Sequence, residues 1–243
     1  KRNAMTNFDE ILTAVRAQPV RRIAVAAASD AYVIEAASEA KRQNIAESIL
    51  VGDEGKIRQA ADSVNVSLDA VEIVHQPEPI QACAEAAKLV SGGKADILMK
   101  GYVHTDDFLR AVLDREFGLR TGSIMSHVFV AEMRVWDRLI FISDSAMNIA
   151  PDLEQKSAIL LNAVYLAKLF GVEQPKVAAL AAVELVNPAM PATLDAAALG
   201  TMADRNQYVP GATVDGPFAL DNAVCPAAAK HKRISGPVAG QAD

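Results

Sequence analysis

An α/β fold built around a mostly parallel sheet is predicted by two observations. Short apolar runs rich in Val and Ile alternate with longer stretches of helical period. Aromatic residues make up only 5% of the chain while Ala and Val are abundant, which suits close-packed helices on a β-branched sheet better than an aromatic-cored sandwich.

The elements follow in order. Arg22–Ala28 reads as a first strand and Tyr32–Gln43 as the helix after it. Ser48–Val51 is a second strand ending at the Gly52-Asp53 turn, followed by a helix over Lys56–Ser63, and Val71–His75 is a third strand. Pro79 opens the next helix, where its missing N–H costs nothing, and Gly92-Gly93 closes it. Asp96–Gly101 is a fourth strand. Thr105 is expected to cap a helix running through Arg115, with Asp106 and Asp107 in its first turn. Ile124–Glu132 and Arg138–Ser143 have little helical character between them and read as paired strands, with antiparallel pairing open. A long amphipathic helix over Asp152–Phe170 ends at Gly171. Beyond it come a strand at Lys176–Val183, a helix at Ala192–Arg205 after Pro191, a strand at Ala212–Val214 and a helix beginning near Asp221.

Composition excludes several classes of function. The chain has 243 residues, 24 Lys+Arg against 30 Asp+Glu, and a net charge of −6. No basic run exceeds Arg21-Arg22 or Lys232-Arg233, so no phosphate-backbone footprint is present and no nucleic-acid partner is expected. The length allows one large or two modest domains. The two cysteines, Cys83 and Cys225, form no CxxC pair and no metal-ligand spacing, which favours a reducing cytoplasmic location and no metal. No apolar run approaches the ~20 residues that cross a bilayer, so no membrane association is expected. Lys1–Ala4, ahead of Met5, read as an expression leader and are left out of the fold. No Pro/Gly-rich linker marks a domain boundary. The expected split falls near Asp144–Pro151, giving domains at residues 5–145 and 146–243.

The familiar nucleotide and hydrolase motifs GxGxxG, GxxxxGK[ST], HExxH and GxSxG are absent, so any chemistry has to be assembled from strand ends and helix starts. Four places qualify. In Met99–Arg110 a strand delivers Lys100, Gly101, His104 and Thr105 to its carboxyl edge just before a helix begins. There, backbone N–H groups, the Thr105 hydroxyl and the Lys100 ammonium are donors for an anion. The alternative reading is structural, with Thr105 only capping, Arg110 only solvating its helix and Lys100 pairing with a neighbouring carboxylate; Asp106 and Asp107 weaken the positive potential at the same spot. Ser126-His127 lies in an otherwise apolar strand, where a hydrogen-bonded core histidine is the commoner outcome. Asp144–Asp152 places Asp144 and Asn148 after a strand, although Asn148 and Asp152 suit a turn and a helix cap equally. In Val214–Asp221, Gly216 and Pro217 force a sharp exit from a strand with carboxylates on either side; the plain alternative makes Asp221 a cap.

Taken in order, the segments Leu98–Gly101, His104–Thr105, Phe108–Val112, Gly118–Gly122, Ser126–Phe129, Asn148–Asp152, Ala182–Glu184, Val186–Pro188, Thr193–Ala198, Met202–Arg205, Val214–Ala223 and Pro237–Gly240 resemble the phosphate acetyltransferase and phosphate butyryltransferase family. The likeness is to its butyryl branch and to the transferase half of fusions with an enoyl-CoA hydratase, and covers the chain from about Arg22 to Asp243.

The resemblance implies two α/β domains flanking a cleft, a fold related to the isocitrate and isopropylmalate dehydrogenases, and a homodimer. It implies reversible transfer of a short acyl group, acetyl to butyryl, between coenzyme A and inorganic phosphate. The thiol would attack an acyl phosphate directly, with coenzyme A a substrate and no cofactor or metal. Lys100, His104, Thr105 and Arg110 match the family's phosphate-contacting loop, and Ser126, Asn148 and Asp215 match further substrate-facing positions. Family members continue past the counterpart of Asp243 into another strand and a segment bearing a Ser-Arg pair and an Asp credited with catalysis, so no catalytic residue is assigned here. A sheet cut at Asp243 would expose apolar surface and an open edge, and the expectation is a chain that stops short of its natural end. Two other functions remain open: a catalytically silent acyl-phosphate or coenzyme A-binding scaffold, and a metal- and NAD-dependent decarboxylating dehydrogenase of the same fold.

Overall fold

The computed structural model describes residues 4–208 and 211–243, so Lys1–Asn3 of the segment expected to be a leader lie outside the described residues. The chain divides into two compact units, residues 12–122 and residues 1–11 with 123–243.

In the first of these, β1 (Arg21–Ala26), β2 (Ala46–Gly52), β3 (Glu72–His75) and β4 (Ile97–Lys100) form one parallel sheet in the order β3-β2-β1-β4. Helices α2 (Ala31–Arg42), α3 (Glu54–Ser63) and α4 (Pro79–Ser91) connect the strands, and α5 (Thr105–Val112) follows the last. Both faces of the sheet are covered. Ala24, Ala26, Ile49 and Val51 pack against Ala82, Cys83, Ala86 and Ala87 of α4, while Val25 and Leu50 pack against Ile34 of α2 and Ile57 and Ala61 of α3. Alternate residues of one strand therefore serve opposite layers, which is why these strands read as continuous apolar runs. Asp30 and Asp53 cap α2 and α3 by accepting backbone N–H bonds.

In the other unit, β5 (Phe129–Glu132) and β6 (Leu139–Ile142) form an antiparallel pair, and β7 (Lys176–Leu180) and β8 (Thr213–Phe218) a parallel one. The long α6 (Leu153–Leu169) and α7 (Pro191–Asp204) contribute Leu160, Val164, Leu199 and Ala203 to a core that includes Val214 of β8. The short α8 (Leu220–Val224) and α9 (Pro226–His231) pack Ala223, Val224 and Ala229 with Phe218, Val238 and Ala242. Among the described residues no helix is long and apolar enough to cross a membrane.

Several expectations need correction. The boundary between units falls at Gly122 rather than within 144–151. The β5-β6 hairpin belongs with the later chain, because the Arg138 guanidinium donates to the carbonyls of Ala242 and Val224, and Phe141 N donates to Asp243 O. Helix α1 (Phe8–Arg16) was not expected; its sequence signal is Phe8, Ile11, Leu12 and Val15 at helical spacing behind Asn7, whose side chain accepts from Glu10 N. His104, not Thr105, is the N-cap residue of α5, and that helix ends at Val112 rather than Arg115. β8 runs on through Gly216-Pro217 to Phe218 with a register shift opposite Ala178 and Leu180, so no exit occurs at that dipeptide. Ala219, not Asp221, is the N-cap residue of α8.

Candidate active site

The order β3-β2-β1-β4 reverses direction between β1 and β4. That is the switch point at which open parallel sheets bind ligands, beyond the carboxyl ends of the two strands. Lys100 and Gly101 stand there. Gly101 N donates to Ala26 O at 2.8 Å and Tyr102 N to Ala27 O at 3.0 Å, pinning the exit of β4 onto the exit of β1. A Cβ at residue 101 would lie 2.4 Å from Ala26 O and 2.5 Å from Ala27 O, so this close approach admits only glycine.

The turn that results holds the loop residues in defined places. Lys100 Nζ donates to Val103 O at 2.7 Å and to Gly101 O at 3.4 Å; its partners are carbonyls, not the carboxylate considered above. The His104 side chain makes no capping bond and is exposed beside Thr105 at the start of α5. The first N–H groups of a helix have no partner within it, so this end is a donor surface. Arg110 forms an ion pair with Asp107 at 3.0 Å while its side chain stays 71% exposed. The pairing offsets part of the Asp107 charge and leaves Asp106 in the same first turn unchanged. Behind the loop, burial pushes the Cys83 thiol up, Asp107 adds to the shift and Lys100 opposes it.

Ser126, Asn148 and Asp215 belong to the other unit. Asn148 Nδ2 donates to Met125 O at 3.0 Å and to the Asp144 carboxylate. Asn162 Nδ2 donates to Ile124 O at 3.1 Å and to Ser126 Oγ at 2.9 Å. Ser143 Oγ donates to His127 O at 2.8 Å. Three side chains thus fix the extended segment 124–127, and Asn162 and Ser143 are the members that sequence reasoning missed. They sit in an ordinary helix and at a strand end, and carry no motif. His127 departs from its expected hydrogen-bonded role: its ring stands edge-on to Phe129 at 4.2 Å and Nδ1 is buried without a partner among the described residues.

Asp144 is the electrostatic centre of this group. Burial raises its carboxyl, but N–H bonds from Ala146, Asn148, Met147 and His127 outweigh that and hold it below the usual aspartate value. Asp215 shares no hydrogen bond with the group among the described residues; its Oδ1 accepts from Gly216 N at 2.8 Å, and its Oδ2 lies 2.9 Å from where a Cβ on Gly236 would sit. Lys156 of α6 and Asp195 of α7 form a further ion pair, half-buried, which sequence reasoning also missed. Among the described residues no three His, Cys, Asp or Glu side chains cluster as metal ligands.

The family model for phosphate acetyl/butaryl transferase matches residues 7–84 and 78–243, which is nearly the whole chain. This chain belongs to the phosphate acetyl/butyryl transferase family. It is 48% identical over 237 residues to a phosphate butyryltransferase of Clostridium beijerinckii, covering 98% of this chain and 78% of the relative. It is 44% identical over 223 residues to a phosphate acetyltransferase of Thermotoga maritima, covering 92% and 75%. Its backbone is similar to the crystal structure of a branched-chain phosphotransacylase from Enterococcus faecalis, with a TM-score of 0.79 and 30% identity over 92% of this chain and 78% of that one. The activity is accordingly that of a phosphate acyltransferase. With a net charge of −6, the chain's overall field does not itself favour anions.

Proposed function

We propose that the chain transfers an acetyl to butyryl group reversibly between coenzyme A and inorganic phosphate. The thiol sulfur of coenzyme A forms a bond to the carbonyl carbon of the acyl phosphate, the C–O bond to phosphate breaks, and phosphate leaves with that electron pair. The thiol proton passes to a base not assigned among these residues. The observation that supports this reading is the turn at the β1/β4 switch point, where Gly101 sets Lys100, His104 and Thr105 at the N-terminus of α5, the helix that carries Arg110 in its last turn.

In that role Lys100 and the first N–H groups of α5 hold the phosphate oxygens, and the Thr105 hydroxyl and His104 imidazole add further donors. Arg110 keeps one N–H on Asp107 and offers others to the anion, since a guanidinium has five. Ser126, Asn148 and Asp215 are proposed as further substrate-contacting residues on the family resemblance. Coenzyme A as a substrate with no metal or cofactor, a homodimer, a cytoplasmic location and a fold relationship to the isocitrate and isopropylmalate dehydrogenases are proposed on the family resemblance.

The test is direct. The chain is incubated with coenzyme A and acetyl, propionyl or butyryl phosphate in the absence of metal, and thioester formation is followed by absorbance. Thioester is expected, with the best donor defining the acyl length; none with any donor, while coenzyme A still binds, overturns the proposal in favour of a silent binder. Arg110→Ala is expected to raise the KM for phosphate on the order of tenfold, the loss of one charge-assisted bond. Because the Arg110–Asp107 pair is exposed, stability should change by less than ~1 kcal/mol.

A further inference from the structure

The carboxyl ends of the parallel strands β7 and β8 are tied together by Ala181 N, which donates to Phe218 O at 2.8 Å. Three residues beyond each member of that bond the chain carries a carboxylate, Glu184 after β7 and Asp221 in the first turn of α8. Like charges on neighbouring loops repel, and a single cation answers both. Lys232, just past α9, places Nζ 3.3 Å from Asp221 Oδ1 and 3.6 Å from Glu184 Oε2. Among the described residues neither carboxylate pairs with any other cation.

The same segment reaches Asp215. Gly236, four residues after Lys232, lies against the Asp215 carboxylate at a positive φ of 145°, in a place where a Cβ would sit 2.9 Å from Asp215 Oδ2. Residues 232–236 are therefore fastened to Glu184 and Asp221 at one end and packed on Asp215 at the other. Three carboxylates thus gather where β7 and β8 end, with Lys232 the cation set among them.

Ligands of parallel α/β sheets sit beyond the carboxyl ends of the strands. An anion approaching that edge meets Glu184, Asp221 and Asp215, and the acidic chain as a whole supplies no attraction to offset them. Lys232 and Glu184 are half-buried, so their charges are screened less than those of a fully exposed pair.

We propose that Lys232 sets the affinity for anionic substrate by neutralising Glu184 and Asp221 at the carboxyl edge of β7 and β8. The inference rests on the proposed acyl transfer, in which Asp215 contacts substrate. Lys232 acts through the charge of its two partners and takes no part in the bond-making step. What matters is then the summed charge of the three side chains, not the ion pair as a tie between loops.

A series of variants that changes this sum tests the point. The readouts are the Kd for coenzyme A by titration calorimetry, which needs no turnover, and KM and kcat for acetyl phosphate. In Lys232→Met two carboxylates lose their counter-charge; at low salt Kd and KM are expected to rise about three- to tenfold, with kcat changed by less than about twofold. At 1 M salt, where the screening length falls to about 3 Å, the rise should shrink below about twofold. Lys232→Arg keeps the charge and should match the parent. The double variant Lys232→Met/Glu184→Gln loses the pair but restores the sum, so Kd and KM should return to within about twofold of the parent. Glu184→Gln alone removes a negative charge and should tighten both, and it decides the matter if Lys232→Met does not fold.

A double variant as weak as Lys232→Met would make Lys232 a structural tie and overturn the inference. So would unchanged Kd and KM in Lys232→Met, a loss that ignores salt, or no tightening in Glu184→Gln. If the parent forms no thioester, the acyl-transfer reading fails while the Kd series still decides the role of Lys232. A parent that binds no coenzyme A overturns both.

Discussion

Replacing Gly101 with Ala tests whether the switch-point turn is held by steric closeness. The added Cβ would lie 2.4 Å from Ala26 O, 2.5 Å from Ala27 O and 2.9 Å from Ala27 C, all backbone atoms of a buried strand exit. No rotamer change relieves those contacts, so β4 must withdraw from β1. Overpacking of this kind costs about 1–3 kcal/mol, and withdrawal weakens the Gly101 N to Ala26 O bond, worth about 1 kcal/mol more. The expected loss is about 2–4 kcal/mol, or a fall in Tm of about 9–17 °C for a unit of this size. Urea unfolding followed by far-ultraviolet circular dichroism measures it, and exchange at the Tyr102 amide, which donates to Ala27 O, should quicken. Acyl transfer should fall at least about tenfold, since Val103 O carries Lys100 Nζ with it. A Gly101→Ala protein within about 0.5 kcal/mol of the parent and fully active would refute this account of the turn.

Other substitutions probe separate parts of the fold. Gly200→Ala makes the same chemical change with the opposite sign: its Cβ would meet nothing closer than 3.5 Å within α7, so unfolding experiments should show a gain of about 0.5–1 kcal/mol. Asp152 accepts from Gln155 N while the Gln155 side chain accepts from Asp152 N; Asp152→Ala should therefore lower stability by about 1 kcal/mol in a urea titration. The Asp144 carboxyl is depressed in the folded state. Its stabilising effect is therefore present above the ordinary value of 3.8 and is lost as pH falls through the lower folded value. Asp144→Asn should accordingly cost about 1 kcal/mol at pH 7, with the gap to the parent closing as pH drops below 3.8 in matched urea titrations; a gap independent of pH would remove the carboxylate from that role.

Much of the element pattern was legible because its signals are local. Pro79 before an Ala-rich helix, Gly171 after a long one and Asp152 ahead of Gln155 all act within a few residues of themselves. Helix α1 and the Thr105 cap were misjudged for the same reason, since a shift of one residue or a short amphipathic stretch barely alters the local pattern. The hairpin β5-β6 was anticipated as a pair, yet its allegiance was not, because the bonds from Arg138 and Phe141 to residues 224, 242 and 243 join partners some hundred positions apart.

The sequence by itself determined an α/β chain of the phosphate acetyl/butyryl transferase family, through motifs whose order along the chain carries the information, and it offered Lys100–Arg110 as a candidate anion-binding loop beside a plain structural reading. Only the tertiary structure decided that β4 lies beside β1, which places that loop at the sheet's switch point and makes Gly101 obligatory there. It also decided that Arg110 pairs with Asp107 and that Lys156 meets Asp195. Strand order and cross-chain pairs are set by which distant apolar faces bury each other, and that choice leaves no periodic trace in the residues that make it.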